Sequence, residues 1–145
     1  MKKATKLMVA AFCAILTLCL TGCSKDPEDL IIGTWVETEI TMTVTEGGQT
    51  QTESLLEEGM VAEMTMKEDN TYVSYNKYAD GDESTDTGTW SITDDKLTMT
   101  SSDDIFDFGP QVYTIEKLTK KDLVLTQKET FGTESMELRV VCKKK

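Results

Sequence analysis

Histidine is absent from the 145 residues. That removes Ser-His-Asp and Cys-His catalytic arrangements and most zinc sites, and it leaves no side chain whose ordinary pKa lies near neutrality. Cysteine is sparse: Cys13, Cys19, Cys23 and Cys142, with no Cys-x-x-Cys spacing for metal or redox work. Arginine occurs once, at Arg139. Basic residues number 15 against 26 acidic ones, a net charge of −11. Such a surface repels phosphate backbones and anionic headgroups, so nucleic acid is excluded as a partner. The acids read as solvating charge that keeps a surface protein soluble, ahead of the alternative that they capture a cationic partner. Long apolar stretches are also missing. The uncharged run over residues 7–20 has 14 residues, short of the about 20 that a membrane-spanning helix needs.

That run does have the shape of a secretion-signal core. Lys2, Lys3 and Lys6 precede it without an acid, and Leu20-Thr21-Gly22-Cys23 closes it. The closing tetrapeptide resembles the lipobox of bacterial lipoproteins, in which small residues admit the signal peptidase and the Cys thiol takes a diacylglyceryl group. The resemblance implies a signal peptide over 1–22, lipidation of Cys23, a polar tether over 23–30 and a folded domain over 31–145. Two or three acyl chains give a firm anchor where one is marginal, at about 0.8 kcal/mol per buried CH₂. Asp26, Glu28 and Asp29 resemble, loosely, the surface-export signal of Bacteroidota lipoproteins. The expected location is the outer membrane, on its periplasmic or cell-surface face, with the bilayer itself as partner. Removing the signal leaves 12 basic residues against 26 acidic ones, a net charge of −14. Cys142 is then the only free cysteine, so no intramolecular disulfide forms despite an oxidising destination.

From residue 32 onward the chain reads as short strands rich in Thr, β-branched and aromatic residues, bounded by turn signals. The pattern predicts strands over 32–45, 61–67, 71–79, 87–93, 96–101, 111–118, 122–129 and 134–143. Residues 50–59 are ambiguous between a short helix and an irregular strand, and residues 80–86 read as an acidic loop. Residues 92–100 and 118–126 repeat one hairpin pattern: an apolar strand end, a polar turn and an alternating strand. About eight strands joined by short links are neighbours and antiparallel. They are enough to close an all-β up-and-down barrel; an open two-sheet sandwich is the alternative.

Gly33-Thr34-Trp35 opens the first strand, and Gly88-Thr89-Trp90-Ser91-Ile92 repeats the motif. With Leu97, Tyr113-Thr114-Ile115, Leu118, Leu123-Val124-Leu125 and Arg139 in order, residues 31–142 resemble the lipocalin-like domain of Bacteroidota lipoproteins. The resemblance implies a calycin-type barrel with the first-strand Trp35 at its closed end, under the last-strand Arg139. A guanidinium on an indole is worth about 0.5–2 kcal/mol. Trp35 is out of phase with Val36, Ile40 and Met42, and Arg139 with Met136, Leu138 and Val140. Either both lie at the closed end beyond the regular strand, or both face outward.

Among candidate sites, Asp80-Gly81-Asp82-Glu83-Ser84-Thr85-Asp86 alternates oxygen ligands. An EF-hand loop, however, needs Gly and Glu where Thr85 and Ser91 stand, so a solvated hairpin loop is favoured. Cys142 shares phase with Leu138 and Val140 and reads as an inward, inert thiol. The carboxylates sit mostly at turns and have no catalytic spacing, so no enzyme is expected. No cofactor or metal is implied. Tyr72, Tyr75, Tyr78 and Tyr113, with Phe106 and Phe108, are candidates to line a pocket, although strand aromatics are also ordinary core. Met42, Met64, Met66, Met99 and Met136 indicate an adaptable interior. The leading functional expectation is a membrane-anchored barrel binding a small hydrophobic ligand. The alternative is a filled barrel that meets a protein or glycan through residues 80–86 and 101–109. A cavity of about 300 Å³ or more favours the first.

Overall fold

The computed structural model of the chain describes residues 25–103 and 109–145. The signal segment, Cys23, Phe106 and Phe108 lie outside the described residues. Nine strands follow a one-turn helix: α1 (Pro27–Ile31), β1 (Gly33–Glu46), β2 (Gln49–Ser54), β3 (Val61–Met66), β4 (Thr71–Lys77), β5 (Glu83–Thr93), β6 (Lys96–Ser101), β7 (Gln111–Leu118), β8 (Asp122–Phe131) and β9 (Glu134–Lys144). All pair antiparallel with their sequence neighbours from β3 to β9, and β9 returns to β1. The result is a closed, eight-stranded antiparallel barrel, the first of the two architectures that the sequence left open, and not a sandwich. Closure pairs each of β1 and β3–β9 on both sides, whereas β2 pairs with β1 alone. The ninth strand does not add a stave. β2 pairs with β1 at 41–46 and β3 pairs with β1 at 33–36, so the two lie end to end along one edge.

Local chemistry accounts for the hairpins. Gly47 and Gly48 both take positive φ (57° and 80°), which the two-residue β1–β2 turn requires and which other residues resist. Asn70 and Asp94, residue types that tolerate the left-handed region, take it in the β3–β4 and β5–β6 turns. Residues 27–30, expected as part of a polar tether, are helical instead, in a turn that runs on to Ile31. The Asp26 carboxylate accepts the Glu28 N–H at 3.2 Å, Pro27 starts the turn, and Glu28 and Asp29 complement its positive end. The turn brings Ile31, fully buried, across one end of the barrel.

Inward side chains follow from the pairing register. Trp35, Met64, Ser74, Asp86 and Ser101 share the inner face with Gly88, Trp90, Leu97, Tyr113, Leu125 and Val140. The core gathers at the α1 end, where Ile31, Trp35, Met66, Leu97, Leu123 and Cys142 are sealed from water. Burial of each such aliphatic side chain contributes about 1.5–3 kcal/mol. Two β-bulges interrupt the ladders, between Glu37 and Glu39 and between Ile115 and Lys117.

Candidate functional site

The barrel floor is built around Trp35. Its indole N–H donates to the Ile31 carbonyl at 2.7 Å, satisfying the end of α1. The Lys144 ammonium lies 5.0 Å from the ring centroid and donates to the Leu30 carbonyl at 3.0 Å. Burial and the charge of Lys25 push the Lys144 pKa down; the indole face and the carbonyl oppose that shift. The partner expected for Trp35 was Arg139, and this is corrected. Arg139 stands opposite Thr41 and Thr126 on the outer face and ion-pairs with Glu39 at 2.9 Å. The residue that faces Trp35 across the β1–β9 ladder is Lys144, five positions further along.

The second Gly-Thr-Trp also builds the floor. The Trp90 indole N–H donates to the Thr71 carbonyl at 3.1 Å. Gly88 lies under the Tyr72 ring: a Cβ there would sit 2.6 Å from Tyr72 Cε1 and 2.0 Å from the Thr100 carbonyl oxygen. Gly33 meets the stem of Lys144 in the same way, its Cβ position 2.6 Å from Cε.

Above this floor the barrel is hollow. A cavity of about 540 Å³ opens toward Asp103 and Gly109 at the rim, within the usual size range of small-molecule sites. Met64, Met99, Leu125, Leu138 and Val140 form its apolar wall. Polar groups line it from the same strands, Ser101 two residues beyond Met99 and Gln127 two beyond Leu125. Asp86 accepts the Tyr72 hydroxyl at 2.8 Å through Oδ2 and the Ser101 hydroxyl at 2.6 Å through Oδ1. Gln127 donates to the Gln111 side-chain carbonyl at 3.0 Å. Desolvation, then Asp86, raises the Tyr72 pKa far above its ordinary value, so the phenol stays a donor.

Glu37 is the first inward residue above Trp35 on β1. It faces the cavity directly. The bulge between Glu37 and Glu39 places it there. The extra residue switches the phase of β1, so Trp35 and Glu37 point inward and so do Ile40 and Met42, which pair with Val140 and Leu138. The Thr38 hydroxyl donates to the Val141 carbonyl at 3.1 Å and holds the kink. Burial raises the Glu37 pKa. No hydrogen bond or ion pair to its carboxyl is found among the described residues. Its charge in turn raises the pKa of Tyr113 and of Cys142, where burial is the larger cause and the thiol is pushed up to about 12.

Residues 31–125 match the sequence profile of the lipocalin-like domain family. The chain belongs to the lipocalin-like domain family. Its fold is similar to that of a lipocalin-like protein from Bacteroides uniformis, at TM-score 0.51 and 13% identity, over 79% of this chain and 98% of that one. It is also similar to lobster apocrustacyanin A1, at TM-score 0.50 and 11% identity, over 81% of this chain and 62% of that one. This chain thus spans under two thirds of the lobster protein's length. No curated protein matches the sequence.

In this lipocalin-like domain the candidate aromatics divide. Tyr72 and Tyr113 line the cavity. Tyr75 and Tyr78 do not. Tyr75 pairs with Glu63 and Thr85 on the outer face, where a hydrogen bond to Glu83 raises its pKa. Tyr78 lies beyond the end of β4 and is 40% exposed. Cys142 is buried on β9 opposite Glu37 and Leu123. In the acidic segment, Asp80 accepts the Asp82 N–H at 3.1 Å, closing a local turn. β5 begins at Glu83, so Asp86 belongs to the barrel wall and not to that loop. Among the described residues no group of three or more acidic or thiol side chains is placed to hold a metal ion. Sequence reasoning missed both cavity acids. Asp86 was detectable through its phase with Gly88, Trp90 and Ile92; Glu37 was detectable only with the bulge.

Proposed function

We propose that this lipocalin-like protein binds a small, largely apolar molecule inside its barrel and works as a lipid-anchored protein of a bacterial outer membrane. The supporting observation is the hollow interior of about 540 Å³, with an apolar wall and a few convergent polar groups. Binding, not catalysis, is the reading that the lipocalin-like domain supports. The anchor reading rests on Lys2, Lys3, Lys6, the apolar run and Cys23. It also fixes an orientation. Ser24, Lys25 and Asp26 alone separate Cys23 from α1, and α1 seals the floor. The floor then faces the bilayer and the rim opens away from it.

The test of binding is titration of the mature domain with an environment-sensitive apolar dye, beside the variant Leu138→Trp, which fills the cavity without touching the floor. One dye bound per wild-type barrel, and loss of binding in the folded variant, is the expected result. No dye bound by folded wild type overturns the reading. For the anchor, mass spectrometry of the N-terminus is expected to find acylated Cys23, and an unmodified cysteine overturns it.

A further inference from the structure

We propose that the ligand of this cavity carries a positively charged nitrogen, an amine on an apolar body, seated against Glu37. The inference rests on the reading of the barrel as a ligand-binding cavity and names the class of ligand. Among the described residues, the carboxyl groups of Glu37 and Asp86 face the interior, with Asp103 at the rim, and no lysine or arginine lines it. Asp86 is already served by the hydroxyls of Tyr72 and Ser101. Glu37 has no such donor among the described residues. The ammonium of Lys144 is held at the floor by the Trp35 ring and the Leu30 carbonyl and does not line the cavity.

A partly buried carboxylate without a partner carries a desolvation cost, and a cationic donor offsets it through a charge-assisted hydrogen bond. The same group repels an anion. An ordinary fatty acid would bring its own carboxylate into a chamber that already holds two. Leu125 and Val140 line the same cavity as Glu37 and give the apolar part of the ligand its place. The phenol ring of Tyr113, whose pKa senses the Glu37 charge, adds a face for a cation. Asp103 at the rim and the net charge of −11 favour entry of cations over anions.

The test is calorimetric titration of the mature domain at pH 7 with three probes of one chain length: octylamine, octanol and octanoate. Octylamine is expected to bind about tenfold or more tightly than octanol, the size of a charge-assisted hydrogen bond, and octanoate most weakly. Glu37→Gln, checked for a native thermal melt, is expected to abolish the preference for the amine. Glu39→Gln, on the outer face of the same strand, is expected to keep it. Octanoate binding as tightly as octylamine, or a preference that survives Glu37→Gln, overturns the amine assignment and leaves the binding cavity standing. Failure of all three probes to bind the folded protein overturns both.

Discussion

Truncating Trp35 tests the floor on which the cavity stands. The indole is fully buried, packs against Ile31 and accepts the Lys144 charge on its face. Trp35→Ala removes a large core side chain and leaves a void that the closed barrel cannot easily collapse, at a cost of about 3–5 kcal/mol. Against the about 5–15 kcal/mol of an ordinary domain, that is roughly a fifth or more of the total. With a urea m-value of about 2 kcal/mol/M, the unfolding midpoint falls by roughly 2 M. Trp35→Phe separates the terms. Phenylalanine refills much of the volume but cannot donate to the Ile31 carbonyl, 2.7 Å away. An orphaned buried acceptor costs about 1–3 kcal/mol. The Lys144 contribution is isolated by a double-mutant cycle of Trp35→Phe and Lys144→Met. Burial and Lys25 already disfavour the Lys144 charge, so its single-variant effect mixes opposing terms. The coupling to the indole is expected at about 0.5–2 kcal/mol. Arg139→Met, which breaks an exposed ion pair, is expected to cost less than about 1 kcal/mol. A Trp35→Ala loss below about 1 kcal/mol, or a coupling of Trp35 to Arg139 instead of Lys144, would refute this account of the floor.

Gly88→Ala drives a Cβ to 2.0 Å from the Thr100 carbonyl oxygen and 2.6 Å from the Tyr72 ring. Because the nearer atom is backbone, denaturation is expected to show a loss of at least about 1–3 kcal/mol. Glu37→Gln is expected to raise the melting temperature at pH 7. The folded pKa of Glu37 lies above its unfolded value, so wild-type stability is full below the unfolded pKa of about 4.5 and falls as pH rises through the folded pKa. Melts at pH 4 and pH 7 check this; an equal difference at both pH values contradicts it. Cys142, buried with its pKa near 12, is expected to resist a thiol reagent at pH 8 in the folded domain and to react on addition of urea.

The strands were legible because turn chemistry and alternation agree along most of the chain. In residues 96–101 and 134–142 an alternating apolar series (Leu97 and Met99; Met136, Leu138, Val140 and Cys142) marks the inner face, and polar turns bound both strands. Barrel and sandwich were not separable, since closure depends on β9 meeting β1, a contact between chain ends that periodicity does not encode. The start of β5 was read as a loop because Ser84, Thr85 and Asp86 are polar on both faces. There one face meets solvent and the other the polar lining of the cavity. Helix α1 carried its signature in Asp26 and Pro27, but one turn is too short for helical periodicity to register.

The bulge at Glu37 explains why Trp35 was read in opposite phase to Ile40 and Met42. On a regular strand Trp35 and Ile40 fall on opposite faces, so a buried indole would force Ile40 and Met42 out into water. One extra residue resolves the conflict and puts both sets inside. It also leaves Glu37 as the inward residue at the junction, next above the sealed floor. A hydrophobic residue there would extend the core upward and shrink the cavity; a carboxylate keeps the space open and charged. The same insertion therefore closes the bottom of the barrel and supplies the polar group at the base of its cavity. Removing the bulge by deleting Thr38 is expected to lose both together, with the unfolding midpoint and ligand affinity falling in one variant.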